Sequence, residues 1–332
     1  MRAIIQRTAG GPEVLHLEHV PTPTPGPTEV LVRVDATSVN PTDAKTRGRG
    51  RFPVGVTTPF ILGYDVAGTV EAVGDGVTIH QPGDRIYGMP RFPYPAGAYA
   101  EYVTAPGRQL VPIPPGLDTV HAAALPLAGL TAWQSLHDTA HVAPGTRVLI
   151  HAGAGGVGHL AIQIAKALGA HVSATSRAEK HDLLRRFGAD ECIDYTTTDY
   201  ADLADSMDVV LDPIGGTTTA RSVRALRRDG TLIRLPPWTD DDQHTREIAA
   251  QQHKKAVRLL VEPDHAGMAA LSDLVERGLL APHVEHTFPL EQASSAHRLI
   301  DTNHTTGKIT LKVTSPDPPR PLPRTDDAEP AA

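Results

Sequence analysis

The chain has a single cysteine, Cys192, among its 332 residues. No intramolecular disulfide can form, and no zinc site can be built from several thiolates. A disulfide-stapled secreted scaffold is therefore excluded. No apolar run approaches the ~18 residues of a membrane-spanning helix, and Met1 to Thr8 alternates like a strand, unlike the charged-then-apolar order of a signal peptide. These absences point to a cytoplasmic protein with no membrane partner. Basic charge is scarce too: 31 Lys and Arg face 38 Asp and Glu, a formal net charge of -7, which leaves no electrostatic footprint for a nucleic acid. The rest, 40% hydrophobic and 21% charged, is an ordinary globular composition, and the length suits two domains better than one core.

From Met1 to about Ala122, short β-type runs alternate with Gly and Pro, among them Val30 to Val34, Asp65 to Ala72 and Tyr99 to Thr104. This is the pattern of a compact, mostly β region. The Pro-rich stretch Val20 to Pro27 lies between two such runs and reads as a surface connection. After Pro144-Gly145 the rhythm changes to strands alternating with helices, the mark of βαβ units and a parallel sheet. Strands are expected at Arg147 to Ala152, His171 to Thr175, Cys192 to Tyr195, Met207 to Asp212 and Gly230 to Leu235. Helices are expected at Gly156 to Leu168, where Val157, Leu160, Ala161, Ile164, Ala165 and Leu168 fall on one face, and at Ala178 to Phe187. Such elements make an open doubly wound sheet. Beyond about Val261 come helices at Met268 to Glu276 and Leu290 to Ile300 and a last strand, Lys308 to Val313. Ser315 to Ala332, with prolines at 316, 318, 319, 321, 323 and 330, is expected to be a disordered tail.

The strongest local signal is His151-Ala-Gly-Ala-Gly-Gly-Val-Gly158. Gly153, Gly155 and Gly158 fit G-x-G-x-x-G between an expected strand and an expected helix, with Ala154, Gly156 and Val157 beside them. Small residues let the backbone approach a pyrophosphate, and the helix amino terminus offers that anion unpaired N–H groups and a positive dipole. A dinucleotide is implied. Which one is read at the end of the second strand, roughly 20 residues on, where an acid would bind the ribose diol of NAD. No acid stands there. Thr175-Ser176-Arg177-Ala178-Glu179-Lys180 instead offers Ser176, Arg177 and Lys180, suited to charge-assisted bonds to a 2'-phosphate. The expected cofactor is NADPH.

These features, with Ser38-Val-Asn40-Pro-Thr-Asp43, Leu62-Gly-Tyr-Asp-Val-Ala-Gly68, Gly83-Asp-Arg85, Gly97-Ala-Tyr-Ala-Glu-Tyr102, Leu125-Pro-Leu-Ala-Gly-Leu-Thr-Ala132, Gly188-Ala-Asp190, Ile193-Asp-Tyr195 and Gly307-Lys308, carry a resemblance. The chain resembles the medium-chain dehydrogenase/reductases, and within them the zinc-independent quinone oxidoreductase branch, over roughly Met1 to Val313. The resemblance implies an α/β fold in which a doubly wound, parallel-sheet Rossmann domain is inserted in a mostly β GroES-like domain. The expected division is residues 1–122 and 261–314 for the GroES-like substrate domain, 123–260 for the Rossmann domain and 315–332 for the tail. It also implies a homodimer joined through the nucleotide-binding domains.

By the same resemblance, Asn40 and Thr131 lie near the nicotinamide, with Asp43, Lys45 and Tyr64 reaching the same cleft. Tyr195 lies against the adenosine, Leu235 and the Pro236-Pro237 turn border the nicotinamide, and the segment of Lys308 returns over the cofactor. Lys45 departs from the tyrosine common near that point, and Pro236-Pro237 departs from the usual glycine-rich turn. Alcohol-dehydrogenase relatives hold catalytic zinc with a cysteine and a His-Glu pair; here Asn40 stands near the first and Tyr64-Asp65 replaces the second. Two histidine pairs, His137 with His141 and His283 with His286, lack an evident third ligand, so no metal is expected.

Without a metal to polarise its substrate, the accessible reaction is hydride delivery to an electron-poor acceptor, a quinone or an α,β-unsaturated carbonyl. Two alternatives stand beside this expectation. One is an enone or enoyl reductase confined to one pathway and inactive with quinones, and the other is an NADPH-binding sensor without turnover.

Overall fold

A computed structural model describes residues 1–52, 54–199, 205–216, 218–235 and 242–313. The proline-rich tail and the Pro236-Pro237 turn lie outside the described residues. The chain opens with β1 (Arg2–Gln6), β2 (Leu15–His19) and the long β3 (Glu29–Val39), then helix α1 (Pro41–Arg49). Five strands follow: β4 (Phe60–Ile61), β5 (Val66–Val73), β6 (Arg85–Gly88), β7 (Tyr102–Pro106) and β8 (Leu110–Pro112). Helices α2 (Thr119–Ala123) and α3 (Pro126–Trp133) lead into β9 (Arg147–Ile150), α4 (Gly158–Ala167), β10 (His171–Ser176), α5 (His181–Arg186) and β11 (Glu191–Asp194). Next are β12 (Met207–Asp212), α6 (Thr218–Ala225), β13 (Leu226–Arg234), α7 (Asp242–Gln251) and β14 (Lys255–Arg258). The last elements are α8 (His265–Glu276), β15 (Val284–Pro289), α9 (Ala293–Ile300) and β16 (Lys308–Lys312).

Two large sheets organise these elements. The first has the order β15-β16-β3-β5-β6-β8, with β7 also on β3. Its pairs are antiparallel apart from β15 with β16. The second has the order β11-β10-β9-β12-β13-β14 and is parallel throughout. The chain thus leaves the first sheet after β8, builds the parallel sheet, and returns to the first through β15 and β16. This is a Rossmann unit inserted in a GroES-like β unit. A third, small sheet of β2, β1 and β4 packs at the side.

Packing follows from the side-chain pattern. On α4, Leu160, Ala161, Ile164 and Ala165 are fully buried, and each large aliphatic among them contributes roughly 1.5–3 kcal/mol of transfer free energy. Strand β3 is buried along both faces because covering elements lie on each side of its sheet. Its register matters to the site: Val39 stands opposite Ile309, so the end of β3 and the start of β16 bring Asn40 and Lys308 side by side.

Several elements depart from the expectations. The helix expected over 178–187 is a 3-10 turn, Ala178–Lys180, followed by α5, and that over 290–300 likewise opens as a 3-10 turn before α9. Helix α1, not expected from the apolar spacing, follows Asn40. Its start is specified locally by Pro41 at the first helical position and by Asp43, whose Oδ2 accepts the Asn40 N–H at 2.9 Å.

Candidate active site

In the parallel sheet the strand order reverses between β9 and its neighbours β10 and β12, and in such sheets ligands bind outside the carboxyl ends of the strands at that point. The glycine loop leaves β9 there. Gly153 lies beneath the loop, donating to Thr175 O at 2.9 Å. At Gly158 a Cβ would fall 2.2 Å from Ala152 O, so only glycine allows the chain to turn from loop into α4. A cleft of about 350 Å3 opens above, lined by Ala154, Gly155, Gly156, Val157 and Gly158. The amino terminus of α4, with its dipole, therefore borders this cleft, an arrangement suited to an anion.

One end of the cleft is formed by the ends of β10 and β11. Ser176 is the last residue of β10 and pairs in register with Asp194. Ser176, Arg177, Lys180 and Tyr195 all line this end, with Glu179. Tyr195 is 47% exposed. Its hydroxyl, together with Glu179 and Asp194, raises the pKa of Arg177. Lys180 reaches across to His304 O at 3.1 Å. The polar groups around this open face are two cations and two hydroxyls, of which Ser176 Oγ donates to Arg177 O at 2.9 Å.

The opposite end holds a buried polar cluster. Asp65 is fully buried and collects the Leu127 N–H at 2.7 Å, the Asn40 Nδ2–H at 2.7 Å and the Ser38 hydroxyl. The first of these caps the amino terminus of α3, which has no cap of its own. Lys308, also buried, donates to Asn40 Oδ1 and lies 3.8 Å from Asp65. Burial lowers the Lys308 pKa, and the carboxylates of Asp65 and Asp43 pull it back up. Asn40 and Lys308 line the cleft with Val39, Leu127 and Ala128.

A strap holds Lys308 in place. Gly307 donates to Ala154 O at 2.8 Å, tying the returning segment to the glycine loop, and Lys308 N–H donates to His283 O at 2.8 Å. Gly307 has φ +57°, and a Cβ on it would stand 2.2 Å from His283 O, so no other residue fits this crossing.

The remaining candidates lie off the cleft wall. Asp43 is fully buried behind Asn40, where burial pushes its carboxyl up to about 7 against the pull of the Asn40 N–H. Tyr64 is fully buried among Phe52 and Phe92, and burial raises its hydroxyl pKa. Thr131 is turned along α3, donating to Leu127 O at 2.7 Å, so that Leu127 and Ala128 present that helix to the cleft. Leu235 is buried at the end of β13, and Pro213 lines the cleft near it. Lys45 lines a separate recess of about 240 Å3 with Asp301 and Asn303. Asp65, Ser38 and Gly307 join the site without having been singled out as site residues. Their signal lay in the quoted segments Ser38 to Asp43, Leu62 to Gly68 and Gly307-Lys308.

Of the histidine pairs, His137 stacks on Trp133 and contacts Asp138, while His141 donates to His137 O at 3.1 Å. His283 donates its N–H to His159 Nε2 at 3.1 Å. Among the described residues no three His, Cys, Asp or Glu side chains converge as metal ligands.

Two family models match the chain: an alcohol dehydrogenase GroES-like domain over residues 26–115 and a zinc-binding dehydrogenase over residues 187–311. Among curated relatives, a 2-haloacrylate reductase of a Burkholderia species is 35% identical, the match covering 94% of this chain and 98% of the relative. An NADPH-dependent alkenal/one oxidoreductase of Arabidopsis thaliana is 34% identical over 94% of this chain and 79% of its own. Among solved structures, a quinone oxidoreductase of Coxiella burnetii superposes with a TM-score of 0.87 at 36% identity, covering 95% of this chain and 99% of that one. The chain belongs to the medium-chain dehydrogenase/reductase superfamily. It is an oxidoreductase, and its cofactor is a nicotinamide dinucleotide.

Proposed function

We propose that the protein is a zinc-independent, NADPH-dependent reductase that transfers hydride to a quinone or an α,β-unsaturated carbonyl. The observation that carries this reading is the single cleft joining Ser176, Arg177 and Lys180 at one end to Asn40 and Lys308 at the other, with the glycine loop between. The loop fits a pyrophosphate, and the two cations fit a 2'-phosphate that NADH lacks. The polar end does not suit a zinc ion, because the buried Lys308 ammonium already occupies the hold of Asn40 and Asp65. Three relatives support the acceptor class by name, acting as a 2-haloacrylate reductase, an alkenal/one oxidoreductase and a quinone oxidoreductase.

When bound, NADPH supplies the hydride. Ser176, Arg177 and Lys180 would hold the 2'-phosphate, and the loop the pyrophosphate. Asn40 would orient the nicotinamide end, with Leu127 and Ala128 excluding water beside it. With an enone, that hydride would go to the β-carbon and the electron pair to the carbonyl oxygen. The fixed charge of Lys308 stabilises that anion, and water supplies the proton that completes the saturated ketone. The single cysteine suits a cytoplasmic setting, and the open edge of the parallel sheet at β14 suits a homodimer joined there. Among the described residues no helix is long and apolar enough to cross a membrane.

The test follows nicotinamide absorbance with NADPH and NADH in parallel, in chelator, with quinones, enones and simple aldehydes as acceptors. NADPH loss confined to quinones and enones is expected. Binding of NADPH without turnover on any acceptor would instead favour a sensor.

A further inference from the structure

Behind Asn40 the described residues contain a line of buried polar side chains that hydride transfer does not itself use. Asp301 on the surface takes Arg47 Nη2 at 2.7 Å, and Arg47 Nη1 meets His297 Nδ1 at 2.9 Å. His297 Nε2 lies 3.2 Å from the Tyr99 hydroxyl, and the nearby Asp43 carboxylate helps to raise the pKa of that hydroxyl. Asp43 then accepts the N–H of Asn40 at 2.9 Å and of Gly63 at 3.2 Å. His297, Tyr99 and Asp43 are fully buried. The line joins α9, α1, the approach to β7 and the approach to β5.

Its direction is fixed by chemistry. A guanidinium has only donors, so His297 Nδ1 accepts and the ring proton sits on Nε2. Nε2–H then donates to the Tyr99 oxygen, leaving the Tyr99 O–H to donate to Asp43. Burial and the Arg47 charge hold His297 neutral, its pKa lowered to about 3. Burial raises the Tyr99 hydroxyl far above its ordinary value, so it remains a donor. Asp43 therefore receives the N–H groups of Asn40 and Gly63, and the Tyr99 O–H is left to turn toward it as a further donor. The groups that face Asp43 are Asn40 before its own helix and Gly63, Tyr64, Asp65, Tyr99 and Lys308 from the elements packed on it.

We propose that Tyr99 and His297 are positioning residues: the one-way chain from Arg47 to Asp43 keeps Asp43 an acceptor and so fixes the backbone of Asn40, and with it the amide that faces the cofactor. The proposal rests on the function given above, since it is the nicotinamide end that Asn40 orients. The chain belongs to turnover and not to cofactor capture, because the glycine loop and the 2'-phosphate residues lie outside it.

Tyr99→Phe and His297→Leu should each lower kcat about tenfold or more through misplacement of Asn40, with the dissociation constant for NADPH unchanged within about twofold. Losing the Tyr99 donor makes ionised Asp43 harder to hold, so the acid limb of the kcat profile should move to higher pH by about one unit. His297→Gln, whose amide can accept from Arg47 and donate to Tyr99, should restore most of the loss. In the wild-type protein, 15N NMR should show the Nε2–H tautomer at His297. The Nδ1–H tautomer, or a kcat and acid limb unchanged in both variants, would overturn the proposal. So would loss of NADPH binding in parallel with turnover, which marks a folding role. Absence of NADPH turnover in the wild type would instead refute the function itself, leaving the tautomer measurement to judge the chain.

Discussion

Arg177→Ala is expected to raise the KM for NADPH by on the order of tenfold or more, through loss of a charge-assisted contact to the 2'-phosphate, while leaving the KM for NADH nearly unchanged. The expectation comes from where the side chain stands. Ser176 closes β10, the position from which a family acid would reach the ribose, and Arg177 follows it on the cleft wall with Lys180 one 3-10 turn later. The Tyr195 hydroxyl and the Asp194 carboxylate near it raise the Arg177 pKa at this edge. A 2'-phosphate gives Arg177 a fork-shaped partner that a ribose diol does not. Steady-state kinetics with both cofactors decide the matter. Equal losses for NADPH and NADH would show that Arg177 acts on the whole site and not on the phosphate.

Asp65→Ala should cost about 3–5 kcal/mol of stability, the penalty of stranding a buried charge whose partner has gone. Four groups depend on this carboxylate: the Ser38 hydroxyl, Asn40 Nδ2, the Leu127 N–H at the start of α3, and Lys308. In the alanine variant the Lys308 ammonium keeps Asn40 Oδ1 but loses the carboxylate 3.8 Å away, and α3 loses its cap. Asp65→Asn should be milder, because an amide oxygen can still accept from Leu127. Urea denaturation of the two variants gives the comparison. A loss below about 1 kcal/mol for the alanine variant, the range of an exposed ion pair, would mean that Lys308 is not buried against Asp65 as described.

How far the sequence foretold this arrangement depends on whether apolar spacing drew it. The parallel sheet was legible because β9, α4, β10 and β12 each carry a clean apolar pattern, and Met207–Asp212 falls where the pattern places it. The glycine loop was legible because its spacing sits between strand and helix. Helix α1 was not, since the residues it buries are Asp43, Thr46 and Arg47. A helix with a polar buried face has no hydrophobic period to find, although its Pro41 and Asp43 start signals were present. The hub at Asp65 was hidden for a related reason. Its partners come from residues 38, 40, 127 and 308, separations that only the sheet register brings together. Lys45 shows the converse, a residue drawn toward the cleft by resemblance that the turn of α1 sets in a neighbouring recess.

The most direct measurement uses NADPH deuterated at its transferable nicotinamide hydrogen, with chelated protein and an enone acceptor, and reads the product by NMR. The account predicts one deuterium on the β-carbon, a protium from water on the α-carbon, and no change in rate when zinc is added. Deuterium on the carbonyl carbon, or turnover that appears only when zinc is restored, would contradict it.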